Sequence, residues 1–232
     1  MTVIAALRCG EGVILGSDSQ ETRGMRGRRL GRRTQKVYVA RKGFLLGWAG
    51  AQDVAQIFAL RLRCAEGLSA GDDRLEVRRR LNEIVAGLRG DPSIDGRSDH
   101  LELFVAWWAR RENRPVALHM LSGGAAEWVS GWAFGGVALG VERASFATSG
   151  LGYADPGGLS LEAGKVLALK VIRDTIEATV EGVGGGVQMG VLRETGPQLL
   201  SMGDLRALHD TVDLWEARCR ELLIDGSERA VS

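Results

Sequence analysis

The first apolar run constrains this chain more than any other feature. Thr2-Val3-Ile4-Ala5-Ala6-Leu7 reads as a strand, Gly10-Glu11-Gly12 as a tight turn, and Val13-Ile14-Leu15-Gly16 as a second strand. The two runs pair as a hairpin, so the far end of the second returns beside Thr2. That end is Ser17-Asp18-Ser19-Gln20, and local geometry alone brings a carboxylate next to the start of the first strand. Removal of Met1 would leave a hydroxyl nucleophile and a free α-amine on one residue. An α-amine has a reference pKa of about 7.7–8.0, which suits a general base near neutral pH.

Further elements follow in order. Thr34 to Val39 starts a strand with Lys36 at its head, and Gly43 to Gly50 follows it into a glycine turn. Two helices come next, from about Gln52 to Glu66 and from about Asp73 to a stop at Gly90-Asp91-Pro92, each with apolar residues at helical spacing. Leu101 to Ala109 is a dense apolar strand, turned by Glu112-Asn113-Arg114-Pro115 into a partner from Val116 to Leu121. Strands are expected at 127–129 and 144–148, a helix after Ser160, and a strand from Val187 to Leu192. The last helix, about 203–224, carries apolar residues at 205, 208, 212, 215, 219 and 222, one face with a three-four spacing. Helices grouped between runs of strands fit an α+β fold of two sheets between two helical layers. The whole of 1–232 reads as one domain, with the last helix as an extension.

Composition excludes several classes. At 232 residues, 45% hydrophobic and 25% charged, the chain has enough apolar material for one good core. A formal net charge of +1 gives no global attraction to nucleic acid or membranes. No apolar stretch reaches the length that spans a bilayer. Cys9, Cys64 and Cys219 are scattered and odd in number, which points to reduced thiols in a cytoplasmic protein rather than a disulfide frame. His100, His119 and His209 are equally dispersed, so neither a zinc site nor a histidine-centred triad is expected.

The ordered set TVIAALRCGEGVILGSDSQ, the QKV around Lys36, GWAGAQDVAQ, ATSGLGYA at 147–154 and the segment 161–189 resembles the proteasome β-type and HslV-like threonine peptidases. These are N-terminal-nucleophile hydrolases, and the resemblance covers most of residues 2–192. It implies a four-layer αββα sandwich and a hydrolase whose nucleophile is Thr2, exposed once Met1 is removed. Asp18 and Lys36 would then form an ion pair beside the terminus, where a lysine cation lowers the pKa of the amine and favours its basic form. Gly50 resembles the residue whose backbone N–H stabilises the oxyanion; the plainer alternative is a strand-to-helix turn. Ser149 resembles the serine that hydrogen-bonds at the terminal amine, with an ordinary turn serine as its alternative. Trp48 would lie near the floor of the primary specificity pocket and favour small side chains.

One segment departs from the family's pattern. Where an arginine, an aspartate and then a serine are usual before paired glycines, this chain has Val180-Glu181-Gly182-Val183-Gly184-Gly185-Gly186. Glu181 replaces the carboxylate with one extra methylene, and Gly184 supplies no hydroxyl. The glycine cluster lacks the lysine and hydroxyl residue of a phosphate-binding loop. The arginine-rich stretch 23–33 reads as a solvated loop, open to contact with an acidic substrate, a polyanion or a neighbouring subunit.

The expected protein is thus a cytoplasmic threonine-type peptidase, self-compartmentalised in a homo-oligomeric ring. It would act on peptides or unfolded protein, an ATP-dependent unfoldase being a possible partner. No cofactor or metal, no membrane and no nucleic-acid partner is expected. Two other readings stand beside it: a ring-forming scaffold with little or no activity, and an amidase acting on a small amide.

Overall fold

Strand β1 (Val3–Cys9) is buried at every position but Arg8, and β2 (Gly12–Asp18) is buried throughout. A strand covered on both faces has no use for alternating polar residues, which is why both runs are almost continuously apolar. The structure, a computed structural model, describes residues 2–25, 28–40, 43–94, 101–121, 124–136, 156–178 and 183–230, with backbone alone for 21–25, 28–32, 156 and 223–230.

The remaining strands are β3 (Gln20–Met25), β4 (Arg28–Arg33), β5 (Val37–Ala40), β6 (Phe44–Ala49), β7 (Glu102–Ala109), β8 (Arg114–Leu121), β9 (Ala126–Trp128), β10 (Trp132–Gly136), β11 (Val187–Arg193) and β12 (Gly196–Leu199). Two five-stranded antiparallel sheets result, in the orders β10-β1-β2-β11-β12 and β5-β6-β7-β8-β9. β3 and β4 make a separate pair, with Gln20 opposite Arg33 and Met25 opposite Arg28. This corrects the expectation of a loop at 23–33. Backbone pairing with the outgoing strand, not an apolar pattern, holds these arginines and glycines extended.

Helices are α1 (Gln52–Cys64), α2 (Arg74–Arg89), α3 (Leu161–Ala178) and α4 (Met202–Ala230). Asp73 caps α2 by accepting from Leu75 N at 2.8 Å. α4 opens on a reciprocal cap in which Ser201 Oγ accepts from Asp204 N at 3.1 Å and Asp204 Oδ2 accepts from Ser201 N at 2.8 Å. The α4 stripe is buried at Leu205, Leu208 and Val212, half-buried at Trp215 and Cys219, and exposed at Leu222. The helix therefore covers the body along its first half, and the cover thins towards Leu222. Among the described residues no helix is long and apolar enough to cross a membrane. The strand expected at 144–148 lies outside the described residues.

Three apolar clusters tie these elements together. Val54, Phe58 and Leu62 of α1 and Val77, Leu81 and Leu88 of α2 pack with Leu46, Trp48, Val105 and Trp107 of the second sheet. Leu161, Ala168 and Leu169 of α3 and Leu205, Leu208 and Val212 of α4 pack with Leu7, Ile14 and Val191 of the first. Ile4, Ala6, Val13, Leu15 and Leu192 of the first sheet share a cluster with Val37, Leu45, Ala49, Phe104, Ala106 and Ala117 of the second. Each fully buried Leu, Ile or Phe contributes about 1.5–3 kcal/mol, so truncating one such as Phe58 to Ala costs about 3–5 kcal/mol once the cavity is counted.

Candidate functional site

Thr2 directly precedes β1 and is 6% exposed. The register sets Ile4 opposite Ser17, so the next step along the pair brings Val3 and Asp18 together. Val3 N donates to Asp18 Oδ1 at 3.0 Å, and Ser17 Oγ donates to Val3 O at 2.8 Å. The end of β2 thus grips the first peptide unit after Thr2.

Asp18 is wholly buried and takes four donors. Oδ1 accepts from Lys36 Nζ at 2.9 Å as well as from Val3, while Oδ2 accepts from Gln20 N at 3.2 Å and Gly184 N at 3.2 Å. Lys36 is equally enclosed, at 1% exposure. A buried ion pair recovers its desolvation cost only when its remaining polar atoms are satisfied, and this carboxylate meets that condition.

Lys36 does not sit in a strand, and its placement depends on two distant side chains. Gln188 of β11 accepts from Lys36 N at 2.7 Å through Oε1 and donates to Thr34 O at 2.6 Å through Nε2. Trp48 donates its indole N–H to Gln35 O at 3.3 Å, and its backbone N–H to Lys36 O at 3.1 Å. Gln188 was not singled out in the sequence, because nothing local marks it; its position two residues after three glycines is the sole clue.

The other expected residues divide. Trp48 is 3% exposed and packs with the α1 and α2 cluster, so it supports the 34–36 segment rather than presenting an open ring. Gly50 is exposed between β6 and α1 with φ +100°, a left-handed conformation that glycine accepts without strain. Ser149 and Glu181 lie outside the described residues. Gly184 contributes its backbone N–H to Asp18, and a β-carbon there would stand 2.1 Å from Gln20 Oε1. The missing hydroxyl therefore leaves room that Gln20 fills.

A carboxylate–imidazole contact escaped the sequence reading. Glu102, at the head of β7, pairs with Ala49 and Leu121 in register. Its Oε2 accepts from Gly136 N at 3.3 Å and lies 3.3 Å from His119 Nε2. The His119 ring stacks on Phe104 with centroids 4.2 Å apart. Gly136 has φ +111°, and a β-carbon on it would come within 1.9 Å of Thr2 O, so only glycine lets β10 close on Thr2. Glu102 therefore fastens the second sheet to Gly136, which pairs with Val3 and packs against the Thr2 carbonyl.

Among the described residues no group of three or more His, Cys, Asp or Glu is arranged to hold a metal ion.

No protein-family model matches this chain, and no curated protein matches it.

Chemically, the arrangement holds a hydroxyl-bearing residue at a strand start and a buried carboxylate–ammonium pair one peptide unit away. A hydroxyl beside such a pair has the chemistry of a candidate nucleophile.

Proposed function

We propose that this protein is a threonine-type N-terminal-nucleophile hydrolase of the proteasome β and HslV-like class, cleaving peptide bonds with Thr2 as the first residue of the mature chain. The observation that carries the reading is the buried Asp18, which binds Lys36 Nζ and the Val3 N–H through one oxygen.

In this mechanism the Thr2 hydroxyl gives its proton to the Thr2 amine as Oγ bonds to the substrate carbonyl carbon. The carbonyl oxygen becomes an oxyanion, held by the Gly50 N–H; one such donor is worth about 3–4 kcal/mol. Collapse expels the amine product, which takes the proton from the ammonium and leaves an ester on Thr2. Water, deprotonated by the same amine, then hydrolyses the ester and restores the hydroxyl. Lys36 keeps the amine in its neutral form, and Asp18 keeps Lys36 and the Val3 peptide in place.

The four-layer αββα arrangement belongs to this proposal, supported by the apolar cluster shared between the sheets and the helix-covered clusters on either side. So do the homo-oligomeric ring and the unfoldase partner, which come from the resemblance, and the cytoplasmic location, which comes from the scattered cysteines. A second reading, a ring scaffold without turnover, is favoured by Gly184, whose position offers Asp18 a backbone donor and no hydroxyl.

Intact mass, followed by an electrophile that bonds both the hydroxyl and the free amine of one threonine, tests the proposal. Loss of Met1 with label mapped to Thr2 supports it. Assembled protein that stays unlabelled and leaves a peptide panel uncut overturns it in favour of the scaffold. Labelled protein that cleaves only small amides overturns the peptidase assignment.

A further inference from the structure

Arg8 lies at the opposite end of β1 from Thr2. Six residue steps along the strand separate them, roughly 20 Å. Here Arg8, Arg74 and Arg114 line one cavity of about 100 Å³ together with Pro115, Trp128 and Ser130. The three guanidinium groups come from three elements: β1, the first turn of α2, and β8.

Each arginine is held in place before any ligand arrives. Arg8 Nε donates to Pro115 O at 3.2 Å, which ties the first sheet to the second. Arg74 stacks over the Trp128 ring at 5.5 Å, beside Arg78 at the same distance. Glu112 bridges Arg74 Nε at 3.2 Å and Arg114 Nε at 2.7 Å. Glu112 itself does not line the cavity, and no other carboxylate among the described residues does. Three cations backed by one carboxylate leave an excess of two positive charges facing a partly apolar wall of Pro115, Val116, Ala117 and Val129.

We propose that this cavity binds a phosphate group, taken either as the free dianion or as the monoester end of a small phosphorylated molecule. The charge of a phosphate dianion matches the excess, and a planar guanidinium binds its oxygens in pairs, which a spherical halide cannot reproduce. A water occupies about 30 Å³ of liquid, so the cavity has room for one four-oxygen group. The bound anion would join β1, α2 and β8 at the end of the molecule remote from Thr2, so the site is independent of the proposed hydrolase chemistry.

Thermal unfolding and calorimetry of the full chain, with inorganic phosphate and with phenyl phosphate against sodium chloride of matched ionic strength, test this site. Saturable binding is expected, with a melting temperature raised by roughly 5–10 °C at about 100 times Kd. Arg8→Gln and Arg114→Gln should each weaken binding at least about tenfold, while Arg218→Gln, on the exposed part of α4, should leave it unchanged. Arg114 is 39% exposed, so its variant keeps the test open should Arg8→Gln fail to fold. Response to inorganic phosphate alone identifies the free anion, and equal or tighter binding of phenyl phosphate identifies the monoester group. A response that chloride reproduces, or an unchanged Kd in the arginine variants, overturns the proposal.

Discussion

Lys36 and Asp18 meet through one hydrogen bond of 2.9 Å in which neither side chain reaches solvent. Removing the lysine alone strands a buried carboxylate, which costs about 3–5 kcal/mol. Lys36→Ala should therefore lower stability by that amount in urea unfolding and abolish labelling of Thr2. Lys36→Arg should rescue poorly, because a planar guanidinium is wider and differently directed than an ammonium. The double variant Lys36→Met with Asp18→Asn removes both charges but sets the amide NH2 against a backbone N–H, so it should recover only part of the stability and none of the labelling. Wild-type turnover in folded Lys36→Ala would remove the main mechanistic claim.

Glu102 is expected to matter through its acceptor oxygen rather than its charge. Glu102→Gln keeps an acceptor for Gly136 N and should change stability by less than about 0.5 kcal/mol, whereas Glu102→Ala strands that N–H and should cost about 1–3 kcal/mol. If the corner it fastens positions Thr2, Glu102→Ala will also slow labelling while Glu102→Gln does not. Equal labelling rates in both variants would limit Glu102 to stability.

Cys9 and Cys64 should differ sharply towards a thiol reagent. Burial, with the Glu11 carboxylate adding to it, pushes the Cys9 thiol up to about 11, while Cys64 is exposed. At pH 8 Cys64 should react first and Cys9 only after unfolding. An unfolded thiol titrates near 8.5, so between there and about 11 the unfolded chain releases a proton that the folded chain retains. The contribution of Cys9 to stability is thus intact below that window and declines as pH rises through it. Cys9→Ala should show a shallower alkaline loss; an identical pH profile would refute the assignment.

The parts of the site that the sequence revealed are those set by neighbours in the chain. Asp18 returns beside Thr2 because the two-residue turn Gly10-Glu11 closes the β1–β2 hairpin, and Lys36 is legible as the head of a later strand. Gln188 was invisible, since it reaches Lys36 across 152 residues of separation and its own strand looks like any other. Glu102 and His119 were invisible for a related reason. An acid at the head of an apolar strand reads as a solvent-facing end; its partners, His119 on the neighbouring strand and Gly136 of the other sheet, are both remote in the chain. The β3–β4 pair escaped because arginine and glycine carry no apolar period, although their backbones pair fully. The α4 stripe predicted the helix well, yet could not say where the body beneath it ends.

That helix is held to α3 by charge as well as by apolar contact. Glu216 lies 3.0 Å from Lys170 Nζ and also pairs with Arg173, which in turn holds Asp213. Burial works against the Glu216 carboxylate, but hydrogen bonds from Lys170 and Arg173 outweigh it and hold its pKa below the usual range. An unfolded glutamate titrates near 4.3, so the stabilisation is complete above that pH. It is lost as pH falls through the lower folded value, where the native carboxylate finally takes its proton. Glu216→Gln should cost about 1 kcal/mol at pH 7, a figure reduced by the partial exposure of the pair, and the gap to wild type should close at acid pH. Fluorescence of Trp215, on the same turn, should report the loosening of α4 before the rest of the chain unfolds. A gap that persists unchanged to pH 2 would show that Glu216 acts through packing and not through its charge.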